Sequence, residues 1–220
     1  MSGSPAQRRQ AILEGIADAA RRARRDPAEV QLIAVSKTRS ADQIRPLIEA
    51  GQRDFGESRV QEAEGKWPAL RHDHPDVRLH CIGRLQSNKA ADALALFDVI
   101  HSLDRPSLLD ALTSEAAKRG SSPDVYVQVN IGAEEQKGGC PIADLPAFIG
   151  QVRSSPLNLI GLMAIPPLGL EPAPFFALLA KLAGEHGLRG LSMGMSGDYK
   201  EAVMLGATAV RVGAALFDDA

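Results

Sequence analysis

The chain has 220 residues, 45% of them hydrophobic and 24% charged, with a net charge of -2 and two cysteines. That length suits one domain with a sizeable core, expected over residues 1–220, and the near-neutral charge gives nucleic acid or an anionic membrane no electrostatic reason to bind. Cys81 and Cys140 have no metal-type spacing, the first ten residues are polar, and no apolar run is long enough to span a bilayer, so a cytoplasmic protein with reduced thiols is expected.

Apolar residues at Ile12, Leu13, Ile16, Ala19 and Ala20 recur at helical spacing and predict a helix over 4–25. Its closing run Arg21-Arg22-Ala23-Arg24-Arg25 is read as a solvated helix end, where the dipole favours cations. Leu32-Ile33-Ala34-Val35-Ser36-Lys37-Thr38 follows, a short apolar strand ending on a lysine. An ammonium held against a protein interior is costly, and its neutral amine becomes accessible, which is how a Schiff-base lysine is prepared; the other reading of Lys37 is the first solvated residue after a strand. Ser40-Ala41-Asp42-Gln43 predicts a capping box and a helix to Ala50, with Pro46 a candidate kink.

A strand over 53–56, a helix over 60–70 and a polar loop with His72 and His74 come next; with no second ligand cluster the His-Asp-His triplet is read as loop, not metal site. Strands over 78–83 and 99–103 flank a helix over 88–97, and Asp104 is the expected N-cap of a helix from Pro106 to Arg119 that Gly120 closes. A fifth strand over 125–131 leads through a glycine loop, 132–139, to a helix over 143–153. A strand over 159–165 ends at Pro166-Pro167, and a helix over 173–185, a strand over 190–194, a helix over 199–205 and an eighth strand over 208–212 complete the pattern. Eight strand–helix units after one extra N-terminal helix predict an α/β protein, a single-domain parallel (β/α)8 TIM barrel; no GxGxxG follows any strand, which weighs against an open dinucleotide-binding sheet.

Such barrels carry chemistry at the C-terminal strand ends and often hold phosphate after strands seven and eight. Ser192-Met193-Gly194-Met195-Ser196-Gly197-Asp198 is a small-residue turn whose backbone N–H groups and Ser196 hydroxyl suit a phosphate. Val210-Arg211-Val212-Gly213-Ala214-Ala215 again permits close backbone approach. Barrel closure makes the first and eighth strands neighbours, so an amine at Lys37 faces an anion site. A phosphorylated carbonyl compound such as pyridoxal 5'-phosphate (PLP) fits both ends.

Ala34-Val35-Ser36-Lys37-Thr38, Phe55-Gly56-Glu57, Ile82-Gly83-Arg84-Leu85-Gln86-Ser87-Asn88-Lys89, Gly161-Leu162-Met163, Leu191-Ser192-Met193-Gly194-Met195-Ser196 and Val210-Arg211-Val212-Gly213 together resemble the PLP homeostasis protein family, also called proline synthetase co-transcribed homologues. The resemblance implies a fold-type III PLP barrel with Lys37 as the aldimine lysine, Ser196 and Gly197 with the Gly213 and Ala214 amides on the phosphate, and Arg211 near the pyridine nitrogen. A guanidinium does not readily give up its proton, so the ring facing it is a poor electron sink. Met195 belongs to the same turn, and His80 is read either as lining the barrel mouth with the cofactor or as a satisfied core histidine.

Ser58 stands where the family has asparagine, and Lys137 matches a loop lysine that could accept PLP during transfer. The chain ends soon after the eighth strand, so it is expected to lack the β domain and tyrosine base of related racemases, and to be a monomer. The implied function is intracellular PLP homeostasis: a non-catalytic carrier or buffer that delivers PLP to apo-enzymes. The alternatives are a PLP-dependent amino-acid racemase and, more remotely, a class I aldolase-like barrel using Lys37 alone; the latter has no acidic pair beside the lysine.

Overall fold

The computed structural model describes residues 3–217. The chain end at Ala220, on which the expected lack of a further domain rests, lies outside them. Eight parallel strands close into a barrel in sequence order: β1 (Gln31–Val35), β2 (Asp54–Glu57), β3 (Arg78–Cys81), β4 (Val99–Leu103), β5 (Asp124–Gln128), β6 (Asn158–Met163), β7 (Gly190–Ser192) and β8 (Ala209–Val212). β8 pairs with β1 in the register Leu32↔Val210 and Ile33↔Arg211, so the barrel leaves no sheet edge.

The helices on the outside are α1 (Pro5–Arg22), α2 (Ala41–Glu49), α3 (Val60–Glu64), α4 (Trp67–Asp73), α5 (Ala90–Leu96), α6 (Pro106–Arg119), α7 (Leu145–Arg153), α8 (Ala173–Glu185), α9 (Tyr199–Met204) and α10 (Ala214–Phe217). The Ser40 capping box forms as the spacing predicts, with Gln43 returning the bond, and Pro46 is accommodated inside α2. Gly120 closes α6 at φ 63°, a left-handed value that glycine adopts without a Cβ clash. α10 is a single turn not expected from the sequence. The N-terminal α1 packs on α9, α10 and α2, and thereby fills the outer-ring place of a full helix after β8.

Three local expectations are corrected. The helix expected over 60–70 is two pieces, because Lys66 leaves helical geometry (φ -133°, ψ -36°) to bring its ammonium into the protein. The polar loop expected around His72 is the end of α4. Asp104 does not cap α6. Its carboxylate pairs with Arg105 at 2.6 Å and accepts the Gly139 N–H at 3.2 Å, which ties the glycine loop to the barrel.

Most of the apolar core lies between sheet and helices, with Trp67, Phe55, Phe176 and Leu79 fully buried. The barrel interior holds a smaller apolar cluster, Val99, Tyr126 and Met163, and the buried polar residues His80, His101, Ser192 and Arg211. Gly161 and Gly190 keep β6 and β7 in close approach: a Cβ on Gly161 would lie 2.0 Å from the Gly190 carbonyl oxygen. Among the described residues no helix is long and apolar enough to cross a membrane.

Candidate functional site

A cavity of about 570 Å³ opens at the C-terminal end of the barrel. Of the residues predicted for a site, it brings together Lys37, Met195, Ser196, Arg211, Gly213 and Ala214, joined by Ser58 and Lys137. Val35, Ile82 and Arg84, quoted in motifs but given no role, and Gln128 and Asn130, not singled out in the sequence, also line it. Val35, Ile82 and Gln128 lie at or just past strand ends, where the barrel alternation could have picked them out.

Lys37 sits in the turn after β1, not on the strand, and is exposed. It is thus the first solvated residue after the strand, as the second reading had it, and burial does not prepare its amine; the side chain lines an open cavity. What the structure fixes is the turn itself. Thr38 adopts φ 64°, uncommon for a β-branched residue, and its N–H donates to Glu62. Lys66 Nζ donates to the carbonyls of Ser36 (2.9 Å) and Arg39 (3.0 Å), one on each side of the Lys37–Thr38 pair.

Lys66 is in turn paired with Glu57 Oε1 at 2.9 Å; its side chain is 9% exposed and that of Glu57 is fully buried. The same oxygen accepts from the Ser36 hydroxyl (2.6 Å) and the Trp67 indole N–H (2.9 Å), whereas Oε2 has no partner. Sequence reasoning missed this clamp, although Glu57 stood in a quoted motif; its partners are brought in by α3 and α4.

The opposite wall offers anion donors. The amides of Ser196, Gly197 and Ala214 have no acceptor among the described residues. The Gly213 N–H, expected to face a phosphate, instead donates to Ser196 Oγ at 3.2 Å and so ties the turn after β7 to the turn after β8. Gly197 lies just outside the cavity wall, on adjacent shallower depressions.

Arg211 is 4% exposed at the cavity floor. Burial lowers its pKa to about 10, so it remains cationic at neutral pH. It spends two of its five N–H groups on Ser192 Oγ (2.6 Å) and the Ala164 carbonyl (3.1 Å), leaving the others without a partner among the described residues.

His80 is the satisfied core histidine of its two readings, and its expected place at the barrel mouth is corrected. It does not line the cavity; it is buried in the barrel interior below Ile82, between Asp54 and His101, both 3.0 Å away. Period-2 alternation places His80 and Ile82 on the same inward face, and Ile82 takes the upper level. Lys137 is at the rim, held by Glu134 (2.7 Å) and the Pro166 carbonyl (3.4 Å).

A reachable amine, unengaged backbone N–H groups beside a hydroxyl, and a buried guanidinium with spare donors suit a small phosphorylated aldehyde with an acceptor atom in its ring. Comparisons agree with this chemistry. The family model for the alanine racemase N-terminal domain matches residues 8–220. A pyridoxal phosphate homeostasis protein of Pseudomonas aeruginosa is 46% identical over 209 residues, 92% of this chain and 90% of that one.

The solved structure of PipY from Synechococcus elongatus with PLP bound is 43% identical, with a TM-score of 0.80 over 92% of this chain and 99% of that one. An alanine racemase of Clostridium difficile shares only the fold, at 12% identity and a TM-score of 0.70, over 94% of this chain and 56% of the racemase. By its sequence, its closed barrel and these relatives, the chain belongs to the pyridoxal phosphate homeostasis protein family, built on the alanine racemase N-terminal domain.

Proposed function

We propose that this chain binds PLP in the cavity at the barrel mouth, reversibly tethered at Lys37 Nζ, and acts as an intracellular carrier or buffer that hands PLP to apo-enzymes. PLP supplies an aldehyde that condenses reversibly with amines, and a ring whose electron demand depends on protonation of its nitrogen. Lys37 presents the amine, and the clamp of Glu57, Lys66 and Glu62 holds its turn in place. The amides of Ser196, Gly197 and Ala214 and the Ser196 hydroxyl receive the phosphate. Arg211, cationic at neutral pH, donates to the ring nitrogen without protonating it, which keeps electron demand low. Ser58 lines the cavity where the family's asparagine would stand, so that position offers only a short hydroxyl.

One observation favours carriage over turnover. Among the described residues lining the cavity there is no carboxylate, histidine or tyrosine; the polar side chains are lysines, arginines, amides and serines. Tyr126 lies buried on His101, and Tyr199 packs under α1 on the outside. Racemisation needs a proton donor and an acceptor on opposite faces of a carbon, and the wall's groups that readily exchange a proton are the Lys37 and Lys137 amines alone among the described residues. A monomer in the cytoplasm matches such a role, with Lys137 at the rim as an intermediate acceptor during hand-over.

The test is a visible spectrum of the purified chain with added PLP. A bound chromophore in wild type, lost in Lys37→Ala, supports the tether; a wild type that takes up no PLP overturns the reading. Sustained inversion of alanine or serine, followed by chiral chromatography, would replace carrier with racemase. Equal transfer rates to an apo-enzyme from wild type and Lys137→Ala would remove Lys137 from the hand-over.

A further inference from the structure

A continuous line of polar side chains runs down the barrel interior from the cavity floor. Arg211 Nη1 lies 2.6 Å from Ser192 Oγ, Ser192 Oγ lies 2.8 Å from His101 Nδ1, His101 Nε2 lies 3.0 Å from His80 Nδ1, and His80 Nε2 lies 3.0 Å from Asp54 Oδ1. Ser192 and His101 are fully buried and His80 is 1% exposed, so water does not intervene to relax the pattern. Only the Asp54 end, at the start of β2, has appreciable exposure, 19% of its side chain. Gln31 also donates to Asp54 Oδ1, at 2.8 Å.

With two neutral imidazoles, one direction satisfies both ends of this line. A guanidinium only donates, so Ser192 Oγ accepts from Arg211 and has its single proton left for His101. With both rings neutral and Asp54 accepting from His80, His101 Nδ1 accepts that proton and His101 carries its own on Nε2. That proton is given to His80 Nδ1, so His80 carries its own proton on Nε2 and gives it to the Asp54 carboxylate. The ring of Tyr126 stacks on His101 at 4.5 Å and 24°, which fixes the imidazole plane. Burial first, then His80 and Arg211, holds the His101 pKa well below its ordinary value, in keeping with a neutral ring.

We propose that Ser192, His101 and His80 are positioning residues for Arg211: a one-way hydrogen-bond relay, anchored on the Asp54 carboxylate at the far end of the barrel, that locks the guanidinium beneath the cofactor cavity. The inference rests on the PLP reading for its purpose, but the relay itself is a property of the unloaded chain. Its parts come from four strands, β2, β3, β4 and β7, and converge on β8. Without it, a buried cation at the cavity floor would have the Ala164 carbonyl as its one named acceptor, and its remaining N–H groups would have no fixed aim. With it, the cation is joined through polarised bonds to a carboxylate several residues below, and its spare donors are turned into the cavity.

Two measurements test the relay. Long-range proton–nitrogen NMR on the PLP-free chain at pH 7 reads the tautomers: both His101 and His80 are expected with a bare Nδ1 and a protonated Nε2. A protonated Nδ1 on His101 would overturn the proposal, and this reading needs no variant to fold. The second is the release rate and visible absorbance of bound PLP in Ser192→Ala, Ser192→Thr and His101→Phe.

Ser192→Ala and His101→Phe are expected to shift the absorbance and to release PLP roughly tenfold faster, the scale of one charge-assisted hydrogen bond. Ser192→Thr, which keeps the hydroxyl, restores wild-type values. Unchanged absorbance and release in Ser192→Ala would overturn the assignment of a positioning role. A wild-type chain that takes up no PLP sinks the cofactor reading and with it the relay's purpose, while the tautomers are still read on the unloaded chain.

Discussion

Replacing Lys66 by methionine removes the cation that faces a fully buried Glu57 carboxylate. The ion pair is 2.9 Å long, with a second acidic oxygen of Glu62 at 3.6 Å, and the same ammonium makes two bonds to backbone carbonyls flanking Lys37 and Thr38. Breaking a buried pair from one side leaves an uncompensated charge and costs about 3–5 kcal/mol. Here the surviving Oε1 keeps Ser36 and Trp67 as donors, but Oε2 already has none, so little can be recovered by rearrangement.

For a chain of this size that loss corresponds to a fall in Tm of roughly 6–20 °C. Urea unfolding of Lys66→Met, with the m-value checked for constancy, measures it. The double variant Glu57→Gln/Lys66→Met is expected to be less destabilised than the sum of the single variants, since the stranded carboxylate is gone. A loss below about 1 kcal/mol in Lys66→Met, the range of a surface pair, would refute the reasoning. Independent of stability, the Lys37 turn loses two anchors, so PLP occupancy is expected to fall in any Lys66→Met that remains folded.

Three further outcomes follow from the interior. The folded-state pKa of His101 is depressed below its unfolded value, so as pH falls below about 6.5 the unfolded chain takes up a proton that the folded one refuses. Stability is expected to decline there by up to about 1.4 kcal/mol per pH unit. His101→Gln lacks this group, and a wild-type minus variant difference that is flat from pH 7 to pH 5 would contradict the assignment. Burial pushes the Cys81 thiol up to about 12 and, with Asp144 and Asp104 adding to it, Cys140 to about 11. Thiol labelling at pH 8 is therefore expected to be slow in the native chain and fast in denaturant. Gly161→Ala places a Cβ against the backbone of Gly190, which cannot swing aside, and is expected to cost about 1–3 kcal/mol in thermal or urea unfolding; an unchanged Tm would show that β6 and β7 can part.

The alternation of apolar strands with helices was legible because each signal is local. Ser40 with Gln43 and the glycine after Arg119 act on their own neighbours, and the structure repeats them. The two ends of the site were also legible, since Lys37 and the turns at Ser196 and Gly213 each end a strand and closure makes those strands adjacent. What escaped was everything decided by one element reaching another. Lys66 breaks a helix that local pattern favours because Glu57, on a strand, needs a cation. Asp104 leaves a cap position to hold Gly139. His80 lies in the barrel interior because inward faces stack in levels, and a sequence does not say which level a strand residue will occupy. The relay is the extreme case, five polar residues on five strands with no spacing in common.

Closure of β1 on β8 joins the two strands furthest apart in the chain, and the cavity straddles that seam: Lys37 follows β1, while Arg211 and Gly213 belong to β8 and its turn. Contacts between distant segments carry the largest loop-closure entropy and form late. The cavity therefore has no existence in a partly assembled barrel. A ligand bridging Lys37 on one side and Ser196 and Ala214 on the other would act as a staple across this seam, stabilising the closed barrel by mass action. Release of such a ligand and opening of the seam would then be two views of one equilibrium.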